Sequence, residues 1–174
     1  MPLVRPYEDR DQGAVVDAVR TVFEEYGFIW EPEGYNSDLF NVPREYQHED
    51  ACFWVGEADG EVVGCSGVLF FPAVSGTLGS LTDEKYPRVC GADCEVVRLY
   101  VHPRGRRKGV GTALFETVCD EARKRDRKVM EIWSDRLLLD AHRMYERYGA
   151  VKVGQRICPP PDETPEWGMY LLLS

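Results

Sequence analysis

No run of eighteen apolar residues occurs anywhere in this chain, so no segment has the length to cross a bilayer as a helix. The first residues, MPLVRPYEDRD, carry charge where a secretory leader would be apolar, and the expectation is a cytoplasmic protein with no membrane partner. Excess positive charge is also missing. Lys and Arg number 21 against 30 Asp and Glu, a net charge of −9, so a polyanion is repelled overall and no nucleic-acid partner is expected. The six cysteines (Cys52, Cys65, Cys90, Cys94, Cys119 and Cys158) lack framework spacing. Cys90 and Cys94 form a C-x3-C with no second pair and no nearby His, so no metal is expected and the thiols read as free and mostly buried. Repeats and low-complexity stretches are absent too. The composition is that of one ordinary folded domain over residues 1–174.

What is present is an alternation of strand and helix patterns. LVRPY reads as a short strand, and Val15, Val16, Val19, Val22 and Phe23 then recur at helical spacing. The stretch from Phe28 to Asp50 is rich in Pro, Gly and aromatics and reads as loop with one short helix. Two β-rich runs joined at Asp59-Gly60 predict a hairpin. Residues 72 to 92 look like an irregular insertion before the strand CEVVRLYV. From Val110, the stripe Leu114, Phe115, Val118, Cys119 and Ala122 predicts an amphipathic helix. KVMEIWS reads as a strand. LLDAHRMYERYG reads as a helix with Leu138, Ala141, Tyr145 and Tyr148 in its stripe and Gly149 beyond its end. AVKVGQR and WGMYLLL are the last strands, giving a mixed α/β layer.

Positive charge clusters in VHPRGRRKGVGTALF, where Arg104, Arg106, Arg107 and Lys108 occur together ahead of a helix. A helix start exposes unpaired N–H groups and a partial positive charge, and Gly109 and Gly111 remove side chains that would block an approaching anion. A polyphosphate site fits these residues, and a solvated basic turn is the competing reading. Walker A is excluded because no Lys-Ser or Lys-Thr pair follows, and the dinucleotide fingerprint fails because Leu114 stands at its third glycine.

The remaining pattern is R-x-x-G-x-G, from Arg106 to Gly111, after a strand ending RLYVHP and ahead of AHRMYERYGAVKVG. On these motifs the sequence resembles the GNAT superfamily of acyl-CoA-dependent N-acyltransferases, most strongly from Glu95 to Val153. The resemblance implies a single-domain α/β (α+β) fold. Its sheet would be mixed, mostly antiparallel, of about six to seven strands with splayed central strands, flanked by about four helices. It implies that acetyl-CoA rests its diphosphate on the backbone amides from Arg107 through Lys108, Gly109, Val110 and Gly111 to Thr112. The side chains of Arg106, Arg107 and Lys108 would add charge contacts. The strand Glu95–Val101 would diverge from KVMEIWS, and its backbone at Leu99, Tyr100 and Val101 would pair with the pantetheine arm as a guest strand does.

Amine acetylation needs a proton acceptor for the amine and a proton for the departing thiolate. The resemblance puts Tyr145 in the acid role and Glu95 in the base role, with His102 and His142 as weaker alternatives. A core-filling Tyr145 and a solvent-facing Glu95 are the competing readings. One departure stands out: Leu138 occupies a position where the family often has Asn, and Asp135 and Asp140 are candidate substitutes. Tyr26, Trp30, Glu33 and Tyr35, with Phe28, Glu31 and Asp38, supply aromatic walls and carboxylates suited to a cationic amine. They could equally be a lid held on the core. The implied function is acetyl transfer to a small-molecule or amino-acid-like amine by direct attack in a ternary complex, with a homodimer as one arrangement the family uses. Acetylation of protein N-termini or lysines and a non-catalytic acyl-CoA sensor are the alternatives.

Overall fold

Val15, Val19, Val22 and Phe23 form the buried face of α1 (Gln12–Tyr26), which stops at Gly27 in a left-handed conformation. The computed structural model describes residues 1–174. The chain divides into two units, Met1–Leu69 with Val96–Asp120 and Phe70–Glu95 with Glu121–Ser174.

In the first unit, β1 (Leu3–Pro6) pairs antiparallel with β2 (Ala51–Ala58), and β2 pairs antiparallel with β3 (Glu61–Phe70). The turn between β2 and β3 is the Asp59-Gly60 pair that the sequence predicts, both residues left-handed at φ 54° and 80°. The loop after α1 holds a 3-10 turn at Ser37–Phe40 and the short α2 (Val42–Tyr46). Ser66 Oγ donates to Val97 O at 3.4 Å, on β4 (Cys94–Val101). The helix α3 (Val110–Lys124) lies close against the hairpin: a β-carbon on Gly56 would come within 2.6 Å of Val110 Cγ1. The core here is Val15, Val19, Phe23, Leu39, Val42, Phe53, Val55 and Cys65.

In the second unit, β4 runs parallel to β5 (Val129–Asp135) through the pairs Cys94↔Met130 and Glu95↔Glu131. The helix α4 (Leu139–Arg147) precedes β6 (Val151–Ile157) and β7 (Pro165–Leu172), and β7 pairs antiparallel with both β5 and β6. Hydrogen bonding orders the strands β1-β2-β3-β4-β5-β7-β6. A seven-stranded, mostly antiparallel sheet with four α-helices is the fold the sequence implies. Its α4 stripe needs correction. His142, Met144 and Tyr145 are the buried residues, while Leu138 is the N-cap, outside the helix and half-buried. The sequence pattern starts the helix one residue early, because Leu138, at φ −82°, ψ 61°, is not yet in helical geometry. All six cysteines are free thiols. No helix is long and apolar enough to cross a membrane.

Candidate active site

The glycine-basic turn lies within the first unit. His102 Nδ1 accepts from Arg104 N at 3.1 Å and starts a 3-10 turn at Pro103–Gly105. Gly105 is required there, because a β-carbon would meet Val63 Cγ2 at 2.5 Å. Arg107 and Gly109 are then both left-handed, at φ 57° and 80°, and α3 begins at Val110. A turn with left-handed residues immediately before a helix start draws successive N–H groups into a concave, electropositive surface.

Two of the basic side chains of the turn already have partners. Arg106 donates from Nη1 and Nη2 to the two carboxylate oxygens of Glu25 at 2.7 and 2.6 Å, and its Nε reaches Val101 O at 3.3 Å. Lys108 Nζ donates to Asp59 Oδ2 at 2.6 Å. These two cations are therefore each paired with a carboxylate of the protein itself. Arg106 holds the Glu25 carboxyl below its ordinary range, and Lys108 does the same to Asp59. Arg107 is exposed. The turn thus presents backbone amides and one open guanidinium, which still suits an anionic diphosphate.

Leu99, Tyr100 and Val101 are half-buried on β4, and the Tyr100 ring stands edge-on to Phe23 at 5.7 Å. One residue earlier, Arg98 is left-handed at φ 53°, a strained conformation for a residue with a β-carbon. Its guanidinium forks onto Asp38 at 2.9 and 2.7 Å and donates to Tyr35 O at 2.8 Å. It also lies 4.9 Å from the centre of the Tyr35 ring, and Tyr46 Oη donates to Asp38 as well. Asp38 is consequently committed to Arg98 and is not free to hold a cationic acceptor. Removing one partner of a nearly buried pair strands the other, so Asp38→Ala should cost about 3 kcal/mol of unfolding free energy, read by urea denaturation. Arg98 escaped the sequence reading. A lone Arg inside the apolar run CEVVRLYV is the signal that could have found it.

Of the predicted acceptor residues, the structure brings three together around Phe23: Phe28 and Trp30 edge-on at 5.5 and 5.8 Å and Tyr35 tilted at 6.5 Å. Tyr26 instead stacks on Phe28 at 5.7 Å, and Glu33 is exposed. The aromatics are therefore anchored to the core cluster while their outer edges stay partly accessible.

The second unit holds the candidate acid and base. Glu95 is half-buried on β4, directly across the parallel ladder from the fully buried Glu131. Burial first, and the Glu131 charge second, push the Glu95 carboxyl up to about 7, against the opposing pull of Arg88 and Arg156. A carboxyl in that range can accept a proton near neutral pH. Tyr145 is buried on α4. His142 is buried beside Ser134 Oγ at 3.1 Å, and burial, with Lys152 nearby, lowers its proton affinity. His102 lies 3.8 Å from Asp17 in the first unit. Asp135 uses one oxygen for Leu137 N at 2.9 Å and the other for Thr164 Oγ1 at 2.6 Å, and Asp140 pairs with Arg143 at 3.0 Å. Both aspartates proposed as stand-ins for the absent Asn are thus engaged elsewhere.

A family model described as "Acetyltransferase (GNAT) family" matches residues 16–150. The protein named "Probable N-acetyltransferase camello" of Xenopus tropicalis is 32% identical over 142 residues, covering 77% of this chain and 57% of that protein. The protein named "Uncharacterized N-acetyltransferase YjgM" of Escherichia coli is 27% identical over 151 residues, covering 85% and 81%. The chain thus spans little more than half of the first relative and most of the second. Among solved structures, yncA of Salmonella typhimurium, determined with its cofactor acetyl-CoA, superposes with a TM-score of 0.71 at 19% identity, over 100% of this chain and 95% of that one.

Proposed function

Because the chain belongs to the GNAT acetyltransferase family, we propose that it is an N-acetyltransferase that moves the acetyl group of acetyl-CoA to a primary amine of a small, amino-acid-like acceptor. In this reading residues 1–174 work as one cytoplasmic domain. The observation that carries it is the left-handed Arg107 and Gly109 ahead of the α3 start, a backbone surface suited to a diphosphate.

Acetyl-CoA supplies the thioester, an acyl group on a good leaving sulfur. The protein binds the diphosphate on the amides of residues 107 to 112, with Arg107 as the open cation. Arg106 and Lys108 contribute only by exchanging their present carboxylates for the ligand. The backbone of Leu99, Tyr100 and Val101 pairs with the amides of the pantetheine arm. Glu95 takes the proton of the acceptor amine, and the raised proton affinity of its carboxyl supports that role. Tyr145 Oη gives a proton to the departing sulfur. Trp30 and Tyr35 face the acceptor with aromatic edges, Tyr26 and Glu33 lying at the margin of that wall.

Two measurements test the reading. Calorimetry should find acetyl-CoA binding, and CoA release should appear with at least one member of a panel of amino acids, polyamines and aminoglycosides. Binding with no release on any amine would turn the protein into a sensor. For the acid, Tyr145→Phe should lower kcat about 10- to 100-fold while the acetyl-CoA Kd stays within about twofold. Unchanged turnover would remove Tyr145 from the role.

A further inference from the structure

The second unit contains more buried charge than a lone base requires. Glu131 is fully buried, yet its carboxylate is saturated: Arg88 donates to Oε1 from both Nε, at 2.5 Å, and Nη2. Val89 N and Trp133 Nε1 donate to Oε2 at 2.8 and 3.2 Å. A second pair stands beside it. Arg156 Nε binds Glu166 Oε1 at 2.5 Å, its Nη1 reaches Pro87 O at 3.1 Å, and its guanidinium lies 4.0 Å from the Trp133 ring. The Arg88 guanidinium in turn lies 4.5 Å from the Phe71 ring. Each arginine is therefore fixed by a carboxylate, a carbonyl or an aromatic face.

The groups that act on Glu95 are Glu131 of β5, Glu166 of β7, Arg156 of β6 and Arg88 of the segment before β4. Tyr170 of β7 is the ladder partner of Glu131 and adds a phenol to the same neighbourhood. Three carboxylates thus share two guanidiniums. The pairs Arg88–Glu131 and Arg156–Glu166 are each neutral, and Glu95 is left as the surplus acid. A buried carboxylate without its own cation holds a proton more tightly than a paired one.

We propose that Glu131 and Glu166 are positioning residues for the proton acceptor: by occupying Arg88 and Arg156 they deny Glu95 a cation and so keep it basic. This rests on Glu95 being the base. Were either arginine released, it would be drawn to Glu95 and turn the carboxyl into an ordinary, weakly basic one. Glu131 touches neither acceptor nor thioester in this scheme, and its effect passes wholly through the charge on Glu95.

The test follows the Glu95 carboxyl itself and needs no acceptor. With side-chain carboxyl-13C glutamate incorporated, the Glu95 resonance is identified by its loss in Glu95→Gln and then titrated by NMR. In the unaltered protein it should titrate near neutrality. Glu131→Gln should lower its midpoint by about one pH unit or more, since a neighbouring negative charge is removed and Arg88 is freed. Glu166→Gln should lower it in the same sense, and Arg156→Met should raise it. Should Glu131→Gln fail to fold, the other two variants carry the test with opposite signs. Midpoints unmoved within about 0.3 pH unit in the variants that fold would overturn the proposal. Failure of the underlying base assignment looks different: Glu95→Gln would then turn over at the normal rate whatever the titrations show.

Discussion

Glu95→Gln should lower kcat by about 10²- to 10³-fold and, at pH 8, make the fold more stable by about 2–3 kcal/mol. The two effects have one cause. Burial and the Glu131 charge hold the Glu95 carboxyl at about 7, well above its unfolded value of 4.5. Between those two pH values the unfolded chain has released this proton while the folded chain keeps it, so stability falls as pH rises through the window. The contribution is fully present below the unfolded value and gone above about 7. Gln carries no charge to bury, so the variant escapes that fall: its advantage should be small at pH 5 and full at pH 8, by urea unfolding. Catalysis runs the opposite way, because only the ionised carboxylate accepts a proton. Turnover of the unaltered enzyme should rise with pH up to about 7. An acceptor amine also loses its proton on the alkaline side, so a rise with pH alone does not identify the base. Loss of the inflection near 7 in Glu95→Gln, with any amine-dependent limb retained, does identify it. A variant that is more stable but equally active would leave Glu95 as a buried liability with no role in proton transfer.

Why the sequence foretold some of these features and not others follows from the range of the interactions. The hairpin at Asp59-Gly60 and the apolar stripes of α1 and α3 are local, written within a few residues, and the structure has each where the pattern puts it. The basic turn was equally visible, but its partners were not. Glu25 lies 81 positions from Arg106 and Asp59 lies 49 from Lys108, so nothing in the motif announces that both cations are already paired. Arg88 and Glu131 are 43 positions apart, and the surplus charge on Glu95 emerges only when β5, β6, β7 and the segment before β4 meet around it. Arg98 shows a third kind of blindness. Its left-handed backbone sits inside a run with ordinary strand propensity, and the loop residues Tyr35 and Asp38 that hold it there are about sixty positions away.

Gly109→Asp should raise the acetyl-CoA Kd by about 100-fold while leaving the fold intact. Gly109 is left-handed at φ 80°, where a β-carbon costs about 1 kcal/mol. No clash adds to that, since the nearest atoms to a β-carbon would be Pro2 Cγ and Cδ at 3.6 and 3.9 Å. A carboxylate just ahead of the α3 start is, moreover, favoured by the helix dipole, by a few tenths of a kcal/mol up to about 1 kcal/mol. Strain and dipole nearly offset each other, and the melting temperature should move by only a few degrees. Binding has no such compensation. The new carboxylate would occupy the field proposed for the diphosphate and repel it at close range, and about 2.7 kcal/mol of lost affinity corresponds to the hundredfold effect. Gly109→Ala separates charge from backbone strain: it should weaken binding by less than about tenfold. Because the Asp penalty is electrostatic and partly exposed to solvent, the gap between the two variants should narrow as salt rises from 0.05 to 0.5 M, roughly as screening lengths shorten. Equal affinities for Asp and Ala at low salt would mean that no diphosphate rests on this turn. With that, the assignment of residues 107 to 112 would be lost, whatever acceptor the enzyme proved to use.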